Sequence, residues 1–207
     1  MSGLTGTWGE LIWANRTSGT ALASFTTEAS MAAGMAELGT TANFINAGLP
    51  ANFFNQNLGI GKVIRVQLRG VLGSAAGTAT FTFGLRWTTA SGVLIATTTA
   101  ITPATQATPA GWEALIDIEG ITTGPSTTAT ARVTGSFLFE NSAIATGTAL
   151  YTPFCAGSAF GTPTPTSLTS AGFDSTVPQA IVPTCSCGTS AAGNTVTLTD
   201  FKIFGLN

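Results

Sequence analysis

Glu113, Asp117 and Glu119 share parity within one segment. In an extended strand such residues project from the same face, which sets Asp117 and Glu119 about 7 Å apart. Carboxylates paired at roughly 5 to 9.5 Å can cleave a glycosidic bond, and clustered oxygens can hold calcium. The plainer reading is a solvated strand face. Arg65, Arg69, Arg86 and Arg132 occupy the polar faces of their own strands as possible cross-strand partners, and nothing nearby offers a substrate platform or a further ligand. Cys185-x-Cys187 likewise puts two thiols on one strand face. With no histidine in the chain and only Cys155 remaining, a zinc site would need a carboxylate as its fourth ligand, so buried thiols packing as small hydrophobes are expected. Gly59-Ile-Gly-Lys62 lacks both the spacing of a phosphate loop and the Ser/Thr after its lysine, and it leads into a strand. No catalytic, cofactor or metal residue is assigned.

The absence of histidine removes Ser-His-Asp and Cys-His nucleophile systems and His-ligated metals. The 207 residues include 7 basic and 9 acidic side chains, a net charge of −2. That is no basic footprint for nucleic acid. Charged residues make up 8 % of the chain, against roughly 25 % in an ordinary soluble domain, while mean hydropathy is +0.38. No stretch reaches the roughly 18 to 20 apolar residues of a membrane-spanning helix. The first residues, Met1-Ser-Gly-Leu-Thr-Gly-Thr-Trp8, lack the basic and apolar regions of a signal peptide, so the chain is expected to be made in the cytoplasm. An odd count of three cysteines is a poor disulfide framework, and the sequon at Asn15-Arg16-Thr17 has no secretory signal to accompany it.

The elements that must position these residues are strands. Apolar and polar side chains alternate in 62–69 (Ile64, Val66, Leu68) and in 79–87 (Ala79, Phe81, Phe83, Leu85, Trp87). They alternate again in 112–118 and 127–139, with shorter β-rich runs at 93–101, 180–185 and 195–204. Turn-forming clusters stand between them: Gly70-Val-Leu-Gly73, Ala90-Ser-Gly92, Thr123-Gly-Pro125 and Ala191-Ala-Gly-Asn194. This is the pattern of an all-β sandwich or barrel. Residues 27–38 read either as a helix capped by Gly39 or as extended chain, because Gly34 interrupts them. The stretches 102–111 and 141–176 read as long loops. Trp8, Leu11, Ile12 and Trp13 near the N-terminus, with Phe53 and Phe54 in an Asn/Gly-rich loop, either cap the core or anchor an interface.

Several motifs recur in an order similar to that of a group of tailed-phage virion proteins. Leu49-Pro-Ala-Asn52 followed by Gly61-Lys-Val-Ile-Arg-Val-Gln-Leu-Arg-Gly70 resembles that group's opening. Trp112-Glu-Ala-Leu-Ile-Asp-Ile118 and Val133-Thr-Gly-Ser-Phe137 resemble its centre. Asp174-Ser-Thr176, then 180–187, Gly193-Asn-Thr-Val-Thr-Leu-Thr199 and Phe201-Lys-Ile-Phe204 resemble its close. The similarity spans residues 46–207; the 141–173 insertion and the paired cysteines depart from it. The resemblance implies a jelly-roll-like antiparallel β-sandwich over 46–207, preceded by an N-terminal arm and first strands over 1–45. It further implies a non-enzymatic virion part, commonly oligomeric, without cofactor. The expected role is a capsid decoration (cement) protein, a homotrimer on the outer surface of the major capsid protein lattice, with no nucleic-acid or membrane partner. The alternative is a tail or fibre module binding a host-surface glycan, with the long loops and Trp87 or Trp112 supplying the sugar platform. A glycosidase using Glu113 and Asp117 is the third possibility.

Overall fold

The computed structural model describes residues 9–15, 17–35, 48–54, 62–75, 78–139, 151–164 and 169–206. Thr, Val and Ile are stiff at χ1 and fit a pleated surface, and the described residues form strands and no helix. In chain order these are β1 (Gly9–Ala14), β2 (Leu22–Ala23), β3 (Ala29–Ser30), β4 (Gly48–Leu49), β5 (Val63–Ser74), β6 (Phe81–Trp87), β7 (Leu94–Thr97), β8 (Gln106–Thr122), β9 (Thr130–Phe139), β10 (Tyr151–Pro153), β11 (Gly157–Ala159), β12 (Thr162–Pro163), β13 (Gln179–Cys187) and β14 (Thr195–Leu206). The larger sheet has the order β1-β14-β5-β8-β9-β10, with β2 also on β14. The smaller has the order β3-β13-β6-β7, with β4 also on β13, and β11 and β12 form a separate hairpin.

Four antiparallel pairings define the topology: β1 with β14, β3 with β13, β5 with β8, and β6 with β7. The chain runs out through β1, β3, β5 and β6 and returns through β7, β8, β13 and β14, each returning strand beside its outgoing counterpart. Successive pairs alternate between the two sheets. This is a jelly roll, the all-β antiparallel sandwich expected from the sequence, with β9 and β10 extending the larger sheet beyond β8. Between the sheets, Ile64, Val66, Leu68, Ile116, Ile118 and Ile203 from one side meet Phe81, Phe83, Leu85 and Ile181 from the other, all buried. Phe83 packs on Phe137 and Trp112 with ring centroids 4.4 and 5.0 Å apart.

One open alternative is decided and three local expectations are corrected. Residues 27–35 are not helical: Ala29 and Ser30 pair with β13, and the turn after them reaches Gly34 at φ +77°, in the left-handed region. Residues 36–38 and the cap Gly39 lie outside the described residues. Gly70-Val-Leu-Gly73 is not a turn but part of β5. At Gly70 a Cβ would stand 2.6 Å from the Trp112 ring and 2.1 Å from the Thr197 carbonyl oxygen, so this glycine admits a tryptophan from the neighbouring strand. The supposed loop 102–111 contributes the start of β8, whose register with β5 shifts between Leu72 and Ser74. Pro109 lies in that irregular stretch, where a residue without an N–H is tolerated. The loop expected at 141–176 supplies β10, β11 and β12 and single bridges at Cys155, Thr169 and Phe173. The expected arm and first strands, 1–45, supply β1, β2 and β3.

Candidate functional site: the open face of the larger sheet

The two outer faces of the sandwich differ. On the smaller sheet the outward positions are covered by the protein itself. Val182 and Thr184 are buried, Glu28 Oε1 accepts the Thr184 hydroxyl at 2.6 Å, and a Cβ on Gly84 would stand 2.5 Å from the Phe160 ring. Phe160 sits at the tip of the β11–β12 hairpin, which Gly161 closes at φ +81°. Arg86 donates to both carboxylate oxygens of Glu28, at 2.7 and 2.6 Å, and to the Gly92 carbonyl at 2.7 Å.

Among the described residues, nothing covers the outer face of the larger sheet. Registers of β14, β5, β8 and β9 set its side chains in lateral rows: Phe204, Arg65, Asp117 and Thr134 in one, Lys202, Gln67, Leu115 and Ser136 in the next, and Asp200, Arg69, Glu113 and Leu138 in a third. Leu11 of β1 stands opposite Phe204, and Tyr151 of β10 opposite Leu138. Every charge on these rows is paired. Arg65 holds Asp117 through two bonds of 2.7 and 2.8 Å. Arg69 donates twice to Glu113 Oε1, at 3.1 and 3.0 Å, Arg132 lies 3.1 Å from Glu119, and Lys202 lies 2.7 Å from Asp200. Arg65, Arg69 and Arg132 are thus the cross-strand partners expected for the acidic face, whereas Arg86 serves the other sheet.

This pairing decides what the carboxylates can do. A general acid needs its pKa raised. The Gln67 amide, donating to Glu113 at 3.0 Å, and the Arg69 guanidinium hold the Glu113 carboxyl below its usual range, the opposite poise. Asp117 in turn pushes the Arg65 guanidinium up.

Of the large apolar side chains exposed among the described residues, all but Val177 stand on this face: Leu11, Leu115, Leu138 and Tyr151. Leu115 and Leu138 had a signal in sequence, since each is apolar at the polar parity of its strand. Tyr151 had none, because it lies in a stretch read as loop.

The other singled-out residues fall elsewhere. Trp8 lies outside the described residues. Ile12 sits at a bulge against Gly205, and Trp13 meets the Phe201 ring edge-on at 4.7 Å. Phe54 is buried, packing on Gly120 and on Phe173, while Phe53 is half-buried with Lys62 Nζ 4.2 Å from its ring centroid. Trp87 and Trp112 are buried, stacked on Phe173 and Phe137, which overturns them as a sugar platform. Cys185 and Cys187 both face the core, opposite Phe83 and Phe81, and burial pushes the Cys185 thiol well above its usual pKa. Among the described residues no group of three or more His, Cys, Asp or Glu could hold a metal. The sequon is closed as well, for Asn15 is buried, its Nδ2 donating to the Thr17 carbonyl at 2.6 Å and its Oδ1 accepting from the Phe201 N–H.

No family model and no curated protein matches the chain. It is similar to the solved CBM2 module of the evolved Dit of Lactobacillus casei BL23 phage J-1, at 13 % identity and a TM-score of 0.31, over 77 % of this chain and 67 % of that one. Nothing about the open face follows from that likeness.

Proposed function

We propose that this chain is a non-enzymatic structural protein of a phage virion, and within that class a head decoration protein that binds the outer surface of the major capsid protein lattice. The observation that carries the reading is the open face of the larger sheet. It is built on long, rigid strands, its charges neutralise one another, and it exposes Leu11, Leu115, Leu138 and Tyr151 where a free monomer would place polar groups. Leucines and a tyrosine set among arginines are the composition of a protein-contact surface. The motif order over 46–207 supports the virion assignment. Contact with the assembled lattice alone would stabilise the shell by mass action. Copies are proposed to meet as a trimer at β1, the edge strand that carries exposed Leu11. Non-enzymatic action fits an open face whose carboxylates, Glu113, Asp117, Glu119 and Asp200, are each engaged by a cation.

Purified protein mixed with capsids lacking it should co-sediment with them, and Leu138→Ser with Tyr151→Ser should abolish this without unfolding the chain. Light scattering should give three times 20.9 kDa. A monomer that ignores capsids would refute the reading. Tyr151 favours a second one, a tail or fibre module binding a host-surface glycan: the residue is 59 % exposed, with Ser136 and Thr134 on the same face. Retention on a glycan array that Tyr151→Ala abolishes would select it.

A further inference from the structure

The ion pairs of the open face are neutral in sum but not in presentation. In each one the cation is the more exposed partner: Arg65 44 % against Asp117 32 %, Arg69 51 % against Glu113 26 %, and Arg132 53 % against Glu119 33 %. Arg65 and Arg69 bind their carboxylates through Nε and Nη2, and Arg132 binds through Nη1. Nη1 of Arg65 and Arg69, and Nε and Nη2 of Arg132, have no protein partner among the described residues. The carboxylates orient the guanidinium groups from behind, and the remaining N–H donors are left for something outside.

We infer that the face docks a protein surface in which leucine-like side chains are interspersed with carboxylates. This rests on the docking reading above and specifies the partner's chemistry. The four long strands β14, β5, β8 and β9, about 4.8 Å apart over about 27 Å, make a footprint of roughly 520 Å², which the shorter β1 and β10 enlarge at its two edges toward the roughly 800 Å² per partner of a stable interface. Guanidinium groups already held in place lose little freedom on binding a second acceptor and shed water more readily than an ammonium. A second copy fits poorly, since it would bring the same outward cations against these.

The test uses the full chain and three immobilised synthetic peptides, in which leucine alternates with glutamate, lysine or serine, read by interferometry. The glutamate peptide should bind best, more weakly as salt rises, and about tenfold more weakly to a variant carrying Arg65→Gln, Arg69→Gln and Arg132→Gln. The single variants Arg69→Gln and Arg132→Gln, checked by circular dichroism, should each lose part of that binding, which guards against a triple variant that misfolds. Equal or better binding to the lysine peptide, binding to none, or indifference to the arginines would overturn the inference, as would self-association that the arginine variants lose. A protein found on virions without the acidic preference refutes this inference alone. One with the preference but absent from virions refutes the virion reading alone.

Discussion

Gln67 is the side chain that does most to keep the Glu113 carboxyl ionised as pH falls, because its amide donates to the same Glu113 oxygen that Arg69 holds. The Glu113 pKa is lowered on folding. The stability it supplies is therefore complete above the ordinary glutamate value of about 4.3 and is lost as pH falls through the depressed one. Gln67→Leu should move the Glu113 titration back toward the ordinary value in a carboxyl-resolved NMR titration. An unmoved titration would show that Arg69 alone sets it. Cys155, Cys185 and Cys187 are buried, and burial raises the thiols of Cys155 and Cys185. All three should stay unmodified by a thiol reagent in native protein and react together once it unfolds. At this scale parity alone was informative. It identified the acidic row and its arginine partners; Leu115 and Leu138, apolar at the polar parity of their strands, carried a signal that the reading did not single out, and Tyr151 carried none, since its strand follows a stretch with no alternation.

Between strands, glycine and one buried ion pair decide the packing. Gly70→Ala would drive a Cβ toward both a backbone carbonyl and the Trp112 ring. It should cost about 1 to 3 kcal/mol, measured by denaturant unfolding; an unchanged midpoint would mean that Trp112 repacks freely. The residues before β3 are tied to the outside of the smaller sheet by Glu28 and Arg86, whose side chains are each 17 % exposed. Glu28→Gln should cost about 3 kcal/mol by leaving the guanidinium poorly compensated, and Arg86→Met in the same chain should recover part of it. The strand cores were legible because alternation persists over many residues. The extensions were not, since Gly70 and Pro109 read locally as breakers, and only the partner strand shows why one must be small and the other can do without a ladder bond. The 27–38 segment stayed open between helix and extended chain for the same reason: in 29–35 its helix-favouring alanines and methionines are used to fill the core beside β13, where Met31, Ala32 and Met35 are buried.

At the scale of the fold, the described residues cover one sheet with their own hairpin and place nothing over the other, and the low charge of the chain acquires a structural reading from that asymmetry. Four of its ion pairs lie on the bare sheet and cancel there. On the proposed reading the face would meet a partner without carrying a large net charge into the contact. Composition showed a chain without histidine and without an excess of basic residues, but not which face would be open, because that depends on where the 155–163 segment folds back. The most direct test of the central claim is gold labelling of intact virions with antibody raised against the chain. Label spread over the head surface is the predicted result, and particles that carry no label would contradict it.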